Sequence, residues 1–224
     1  MGVVLLVRHG QASFGADDYD VLSETGWEQS RLLGRYLADR DVRPDVVVHG
    51  DMCRHRDTAS AMGEAAGWTV EATVDAGWNE FDHLGVVAAY PELPTDRELD
   101  RAGFQRVFEQ ATARWTAGLH DADYPESWGG FVERVGHALD RTCAAAGQGR
   151  TAVVVSSGGP IAAACAALVG PDPRDTGALA GLWARFNTVC VNSGVTRLVV
   201  GRTGARMLTF NEHPHLEGDH LTYR

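Results

Sequence analysis

Short continuous apolar runs alternate with amphipathic segments along most of this chain. Runs of β-branched and aliphatic residues are typical of strands buried on both faces. They predict strands at residues 2–7, 45–49, 68–73 and 151–155. Helically spaced apolar positions predict helices at about 25–40, 53–66, 127–146 and 160–169. Thr25 with Glu28 forms a capping-box pattern at the start of the first helix. The alternation predicts an α/β fold, a three-layer sandwich with a mostly parallel central sheet and helices on both faces.

Two regions depart from this alternation. From about residue 82 to residue 125 the pattern is helical but interrupted by proline and glycine. This predicts a helical excursion from the sheet, an insertion that caps the functional site. Near the C-terminus, residues 187–192, 195–201 and 206–211 predict consecutive strands with hairpin connections. No linker is visible, so residues 1–224 are predicted to form a single domain.

Composition and charge narrow the class of function. The chain has 224 residues, a formal net charge of −10 and no run of basic residues, which argues against a nucleic-acid binder. No apolar stretch suits a membrane span, and the N-terminal run meets Arg8 too early for a signal peptide. The four cysteines form no CxxC and no zinc-finger spacing, so we expect a cytoplasmic protein with reduced thiols.

Reactive side chains follow each of the predicted parallel strands. In such sheets, ligands bind beyond the carboxyl ends of the strands. The first strand ends at Arg8 and His9, and Arg54 follows the second. The third leads to Glu80, and the fourth leads to Ser-Ser-Gly-Gly at 156–159. We therefore expect all of these groups to face one crevice.

This combination of groups is suited to phosphoryl transfer. Arginine offers a planar fork of donors for phosphate, and a helix N-terminus after Gly-Gly offers N–H groups and the positive end of a dipole. A neutral imidazole is a nucleophile, and a nearby carboxyl group can protonate a leaving oxygen. The residues thus predict a reaction through a covalent phosphohistidine.

The order of these motifs resembles the histidine phosphatase superfamily, also called phosphoglycerate mutase-like. The resemblance covers most of the chain. The segments that carry it are Leu-Val-Arg-His-Gly-Gln at 6–11, Leu-Ser-Glu-Thr-Gly at 22–26, Arg54 with Thr58 and Ala59, Glu80, and Val-Ser-Ser-Gly-Gly at 155–159.

The resemblance implies a role for each matching residue. His9 would attack phosphorus and carry the phosphoryl group, while Arg8 and Arg54 would hold its oxygens. Glu80 would be the general acid on the leaving oxygen and then the base for water. No metal or organic cofactor is expected. Further substrate or phosphate contacts would come from Gln11, Ser157, Gly158 and His83.

Three positions depart from the family's pattern. The family usually has a second, phosphoryl-binding histidine where this chain has Ser157. The hydroxyl of Ser157 and the N–H of Gly158 could still donate, and His83, three residues after Glu80, could partly compensate. The family also often has asparagine at the position of Gly15, and a small residue where this chain has His55.

The sequence therefore predicts a phosphatase that hydrolyses a phosphomonoester through a phosphohistidine on His9. Its partner would be a small phosphorylated substrate or phosphate, and the late strands would offer an edge for a homodimer. Loss of the second histidine would instead suit a non-catalytic or weakly active member that binds a phosphorylated ligand. A phosphoglycerate mutase-type phosphotransferase also stays open.

A serine hydrolase is a further alternative, with Ser157 as its nucleophile between a strand and a helix. Val155 replaces the first glycine of the usual nucleophile elbow. The partners downstream would be Asp172 or Asp175, followed by His213. His213 and His215 also have metal-like spacing, but no further ligand cluster is visible, so we expect a structural tail.

Overall fold

The computed structural model describes residues 1–13, 20–94, 100–170, 172 and 175–223. Within these ranges, six strands form one mixed sheet. The strands are β1 (Gly2–Arg8), β2 (Val46–His49), β3 (Ala72–Val74), β4 (Thr151–Ser156), β5 (Val195–Gly201) and β6 (Gly204–Glu212). Their spatial order is β3-β2-β4-β1-β5-β6.

The sheet is parallel at one end and antiparallel at the other. Strands β3, β2, β4 and β1 run parallel, and β5 and β6 are added in antiparallel pairing. The register pairs Arg8 of β1 with Ser156 of β4. The residues that follow these two strands therefore emerge side by side at the same edge of the sheet.

Seven α-helices surround this sheet in the described part of the chain. They are α1 (Glu24–Ala38), α2 (Cys53–Ala66), α3 (His83–Ala88), α4 (Arg101–Thr116), α5 (Trp128–Ala145), α6 (Gly158–Val169) and α7 (Thr176–Val189). Among the described residues, no helix has the length and apolar character needed to cross a membrane.

Alternate residues of the central strands pack on opposite layers. Leu5 and Val7 of β1 pack with buried side chains of α1 and α2. Val4 and Leu6 belong to a larger core with residues of α5 and α6. Both faces of the parallel strands are thus covered, as their unbroken apolar sequence requires. The predicted three-layer α/β sandwich is confirmed.

The predicted strand at 187–192 is wrong. Helix α7 continues to Val189, because Asp175 caps its start and Leu179 and Trp183 bury one face of it in the core. The β-branched residues that suggested a strand lie at the end of this helix, where tertiary packing overrides their local preference. The strand predicted at 68–73 is shorter and lies later in the chain, since Ala72–Val74 are the residues that pair with β2.

The capping box predicted from Thr25 is wrong by two residues. Ser23 is the cap of α1, and its hydroxyl accepts from the Gly26 N–H at 3.1 Å. The backbone N–H of Ser23 in turn donates to the Gln11 carbonyl at 2.9 Å. The start of α1 is therefore tied directly to the segment that follows β1.

The loose helical pattern between strands β3 and β4 contains helices α3 and α4. Both contribute to the larger core, where Trp115 of α4 stacks on Phe81 with ring centroids 4.8 Å apart. Phe81 also packs edge-on against Trp183 of α7. This aromatic cluster fixes the chain immediately after Glu80 to the core of the molecule.

Candidate active site

His9 follows β1 directly and is 5% exposed. Its Nδ1 lies 2.6 Å from the Gly10 carbonyl oxygen, which can only accept, so Nδ1 carries the ring proton. Its Nε2 lies 3.2 Å from Nε of Arg54, which can only donate. The two contacts select one neutral tautomer and leave the lone pair on Nε2, the atom that faces the arginine.

The electrostatic surroundings of His9 favour that neutral form. Burial, and then the charges of Arg54 and Arg8, hold the pKa of His9 well below its usual range. A protonated imidazole could not attack phosphorus, because the lone pair of Nε2 would be bound to a proton. The arginines that would attract a phosphoryl group therefore also keep the histidine nucleophilic.

The segment that carries His9 is held by close backbone contact with α1. A Cβ on Gly10 would lie 2.3 Å from the Gly26 carbonyl oxygen, so any other residue would force the two segments apart. The Gly10 N–H donates to the hydroxyl of Thr58 on α2 at 3.0 Å. Helices α1 and α2 thus both hold the loop that carries His9.

Arg54 lies in the first turn of α2 and is 3% exposed. Its NH1 forms a 2.8 Å ion pair with Asp20, whose other carboxylate oxygen accepts from the Cys53 N–H at 2.8 Å. Asp20 therefore both orients the guanidinium and satisfies the start of the helix that carries it. A carboxylate beside a helix N-terminus is also favoured by the helix dipole.

Glu80 is half-buried, and its side chain lies against the N-terminus of α6, the helix that follows β4. One carboxylate oxygen accepts from the Gly159 N–H at 3.2 Å. Burial raises the pKa of the Glu80 carboxyl, while the Gly159 N–H and the charge of Arg54 act in the opposite direction. A raised pKa is what a general acid needs if it is to hold a proton near neutral pH.

The backbone before Glu80 is anchored from two sides. The hydroxyl of Ser156, at the end of β4, donates to the Trp78 carbonyl at 2.6 Å. Arg134 of α5 donates to the carbonyls of Gly77 and Asn79, each at 2.9 Å. These bonds hold the segment that carries the carboxylate against the edge of the sheet.

The charge of Arg8 lowers both the pKa of His9 and the pKa of Glu80. Its NH1 donates to the Cys190 carbonyl at 2.5 Å and to the Tyr223 carbonyl at 2.7 Å. The C-terminal segment thus reaches the same edge of the sheet.

Ser157 is fully buried and bonds to a histidine that the sequence marked only as a departure from the family. Its hydroxyl lies 2.7 Å from Nε2 of His55, the residue that follows Arg54 on α2. The ring of His55 lies 5.6 Å from that of His9, centroid to centroid. The proposed serine hydrolase partner, His213, instead bonds through Nδ1 to the Asn211 carbonyl at 2.6 Å.

The remaining predicted ligands lie around this group. His83 opens α3, and burial followed by the charge of Arg54 lowers its pKa. Gly158 opens α6, and a Cβ there would lie 3.7 Å from Nε of Arg8. Gln11 is tied to α1, because its Oε1 accepts from the Ser23 hydroxyl at 2.9 Å.

Several residues of the site were missed by sequence reasoning. Asp20 gave no signal, since nothing in its local sequence links it to Arg54. Asn192 was missed because 187–192 was predicted as a strand, and Ser193, which follows it, was missed as well. Their side-chain and backbone N–H groups respectively donate to the His9 carbonyl, both at 3.3 Å. Gly15, where the family often has asparagine, lies outside the described residues.

Arginines and a neutral histidine at the carboxyl ends of parallel strands define a protein that handles anionic phosphoryl groups. The sequence matches the histidine phosphatase superfamily (branch 1) over residues 4–212. The chain therefore belongs to this superfamily, as its motifs predicted.

Known relatives agree with that assignment. The chain is 33% identical over 177 residues to a glucosyl-3-phosphoglycerate phosphatase of Mycolicibacterium vanbaalenii. The aligned region covers 75% of this chain and 74% of that protein. It is 32% identical over 89 residues to a 2,3-bisphosphoglycerate-dependent phosphoglycerate mutase of Chelativorans sp., covering 37% of this chain and 43% of that protein.

Solved structures show the same fold. A mutant phosphoserine phosphatase of Entamoeba histolytica in complex with phosphoserine has a TM-score of 0.68 at 18% identity, covering 97% of this chain and 100% of that chain. A mycobacterial glucosyl-3-phosphoglycerate phosphatase in complex with VO3 has a TM-score of 0.65 at 23% identity, covering 94% of this chain and 99% of that chain.

Proposed function

We propose that this protein hydrolyses a phosphomonoester through a covalent phosphohistidine on His9. One observation carries the proposal: the Gly10 carbonyl fixes the proton of His9 on Nδ1 and directs the Nε2 lone pair towards Arg54. A phosphoryl group drawn to this guanidinium would therefore meet the nucleophilic atom. Burial of the ring favours its neutral form at the same time.

In the first step, the lone pair of His9 Nε2 forms a bond to phosphorus. The bond from phosphorus to the ester oxygen breaks, and that oxygen takes its electron pair and the proton held by Glu80. The alcohol then leaves. Arg8 and Arg54 balance the charge that spreads over the phosphoryl oxygens as the bonds change.

In the second step, the Glu80 carboxylate removes a proton from water as the water oxygen attacks phosphorus. The bond from phosphorus to Nε2 breaks, and its electron pair returns to His9. Inorganic phosphate leaves, and Glu80 is again protonated. The carboxyl group thus serves as acid and base in turn, which the raised pKa of Glu80 supports.

Relatives support hydrolysis more than mutase action. The phosphatase relative aligns with 75% of this chain, whereas the mutase relative aligns with 37%. We accordingly propose a small phosphorylated metabolite as substrate and take phosphoglycerate-type esters and phosphoserine as first probes. The insertion at about 82–125 would form the rim of the site, with His83 as a contact to the substrate.

Three further expectations belong to the proposal. No metal or organic cofactor is required by the two steps above. A cytoplasmic location is supported by the four free cysteines, which suit a reducing compartment. A homodimer through the late strands stays a prediction.

A direct test compares two chromogenic substrates, nitrophenyl phosphate and nitrophenyl acetate. We expect His9→Ala to lower phosphate release by about 10³-fold or more, since it removes the nucleophile. His137→Ala, at an exposed histidine of α5, is the matched control and should leave the rate unchanged. A wild-type protein that binds vanadate but turns over no phosphoester would contradict the proposal in favour of a binding function.

The 2.7 Å contact between Ser157 and His55 favours a serine hydrolase as a second candidate. That function would require acetate release that is lost in Ser157→Ala and kept in His9→Ala. The phosphatase proposal predicts the reverse dependence, on His9 and with phosphate as product. It also accounts for Arg8 and Arg54, which an esterase would leave without a role.

A further inference from the structure

The His55–Ser157 contact joins two positions at which this chain departs from its family. Ser157 stands where a phosphoryl-binding histidine is usual, and His55 stands where a small residue is usual. Here the two side chains meet, with Nε2 of His55 2.7 Å from Oγ of Ser157. An imidazole is therefore still present beside the nucleophile, but it comes from α2 rather than from the end of β4.

The side chain of Ser157 does not cap the helix that it precedes. Serine before a helix ordinarily caps the helix with its side chain, yet the Ser157 side chain makes no such bond to α6. Glu80 accepts from the Gly159 N–H of that helix instead. The hydroxyl of Ser157 is thus not tied to its own helix, and it contacts Nε2 of His55 at 2.7 Å.

The surroundings of His55 indicate which ring nitrogen is protonated. The side chain is fully buried, and its Nδ1 has no hydrogen-bond partner among the described residues. Nδ1 faces Gly50, where a Cβ would lie only 2.3 Å away. A buried N–H without an acceptor is rare in proteins, whereas a bare lone pair can face a C–H group. The proton therefore belongs on Nε2, the nitrogen that contacts Ser157.

The direction of the remaining bond follows from this tautomer. If Nε2–H donates to Oγ of Ser157, the proton of the serine hydroxyl must point elsewhere. Phosphoryl oxygens only accept hydrogen bonds, so a hydroxyl polarised in this way is a suitable donor for them. Burial, with the charges of Arg54 and His49, also lowers the pKa of His55, so that its second nitrogen stays bare.

We infer that His55 and Ser157 together replace the missing second histidine: His55 positions and polarises the Ser157 hydroxyl, and Ser157 donates to the phosphoryl group. His55 is a positioning residue, because it acts through the serine. This inference rests on the proposed function and extends it. It also implies that the site binds phosphate without the extra positive charge that a protonated histidine would supply.

A double-mutant cycle tests the inference through kcat/KM for nitrophenyl phosphate. Ser157→Ala removes the donor and should lower kcat/KM by about 10²-fold, as loss of one preorganised donor usually does. His55→Ala should lower it as well, but the double variant should lose no more than Ser157→Ala alone, within about threefold. Losses that multiply would overturn the inference, because the two side chains would then act independently.

A conservative variant separates positioning from mere packing. The amide of His55→Gln can donate to the Ser157 hydroxyl. This variant should therefore recover at least half of the decrease in log(kcat/KM) that His55→Ala causes. In the Ser157→Ala background, the same glutamine should recover nothing. Recovery that is equal in both backgrounds would show that only the volume of the side chain matters, and would overturn the inference.

The tautomer can be measured on the unmodified protein. Long-range ¹H–¹⁵N correlation spectra of the histidine rings should show His55 neutral with its proton on Nε2, and His9 neutral with its proton on Nδ1. A proton on Nδ1 of His55 would overturn the inference, because Ser157 would then have to donate to the imidazole. This readout does not depend on whether a variant folds.

Two controls keep the outcomes apart. Thr142→Val removes a different buried hydroxyl, one that accepts from Trp78 Nε1 at 3.2 Å, and should lower the melting temperature without changing kcat/KM. His9→Ala is assayed alongside. If His9→Ala keeps its activity, the proposed function is wrong. If His9 is required but the losses in kcat/KM of Ser157→Ala and His55→Ala multiply in the double variant, only the inferred role of His55 and Ser157 is wrong.

Discussion

Gly159 is the residue on which the position of the proposed acid depends most directly. A Cβ at this position would lie 2.0 Å from one carboxylate oxygen of Glu80 and 3.1 Å from Cδ1 of Phe81. Real Cβ atoms essentially never approach closer than 3.0 Å. Because Phe81 is fixed in the aromatic cluster, Gly159→Ala should displace the Glu80 carboxylate by about 1 Å, a misplacement that can cost about 10²-fold in rate.

The size of the loss should depend on the leaving group. An alkyl alkoxide must be protonated as it leaves, whereas nitrophenolate leaves readily without a proton. We therefore expect Gly159→Ala to lower kcat by about 10²-fold with an alkyl phosphate, such as phosphoglycerate, and by under about tenfold with nitrophenyl phosphate. Glu80→Gln should show the same selectivity, since it removes the acid outright.

The control is a glycine that has open space around it. Among the residues that the structure describes, a Cβ on Gly136 of α5 would meet nothing within 4 Å, so Gly136→Ala should leave both rates unchanged. It should also stabilise the protein by about 0.5–1 kcal/mol, because alanine is the better helix former. A Gly159→Ala variant with wild-type kcat on the alkyl phosphate, or with equal losses on both substrates, would refute the reasoning about Glu80.

Three further predictions concern stability and positioning. The raised pKa of Glu80 means that its ionised form destabilises the folded protein at neutral pH. Glu80→Gln should therefore have a higher melting temperature than the wild type at neutral pH, and the difference should vanish below about pH 4. A difference that grows on acidification would contradict this. Asp20→Ala should lower kcat/KM by about tenfold or more, because Arg54 loses its ion pair with Asp20, and a wild-type value would show that Asp20 does not orient the guanidinium. Because the pKa values of His9 and His55 are lowered, the contribution of these side chains to stability is present above about pH 6.5 and is lost as the pH falls below it. The melting temperature of His55→Gln should therefore fall less steeply below pH 6.5 than that of the wild type, and an equal slope would contradict this.

The parallel part of the fold was predictable because its signal is local. Continuous apolar runs give buried strands, and the carboxyl ends of such strands collect the reactive groups. For that reason the amino-acid pattern alone led us to expect Arg8, His9 and Ser157 at one edge of the sheet. Helix α7 was not predicted and the start of α1 was misplaced, because both depend on contacts with other elements, such as the packing of Trp183 in the core.

The contacts that refine the site were not predictable, because they join residues far apart in sequence. His55 and Ser157 are 102 residues apart and meet only because β2 and β4 are neighbours in the sheet. Asp20 reaches Arg54 across 34 residues, and the sequence around Asp20 gives no pattern that would predict this contact. The sequence could show that an expected histidine is missing at 157, but only the sheet order shows which side chain bonds to the residue that replaces it.

Trapping the covalent intermediate would show which side chain carries the phosphoryl group. The protein would be mixed with a phosphomonoester, quenched within one turnover at alkaline pH, where phosphohistidine is stable, digested, and mapped by mass spectrometry. We expect a single acid-labile phosphoryl group on the peptide that contains His9, retained in Ser157→Ala and absent from His9→Ala. An acid-stable phosphoryl group on Ser157, or turnover with no label on His9, would contradict it.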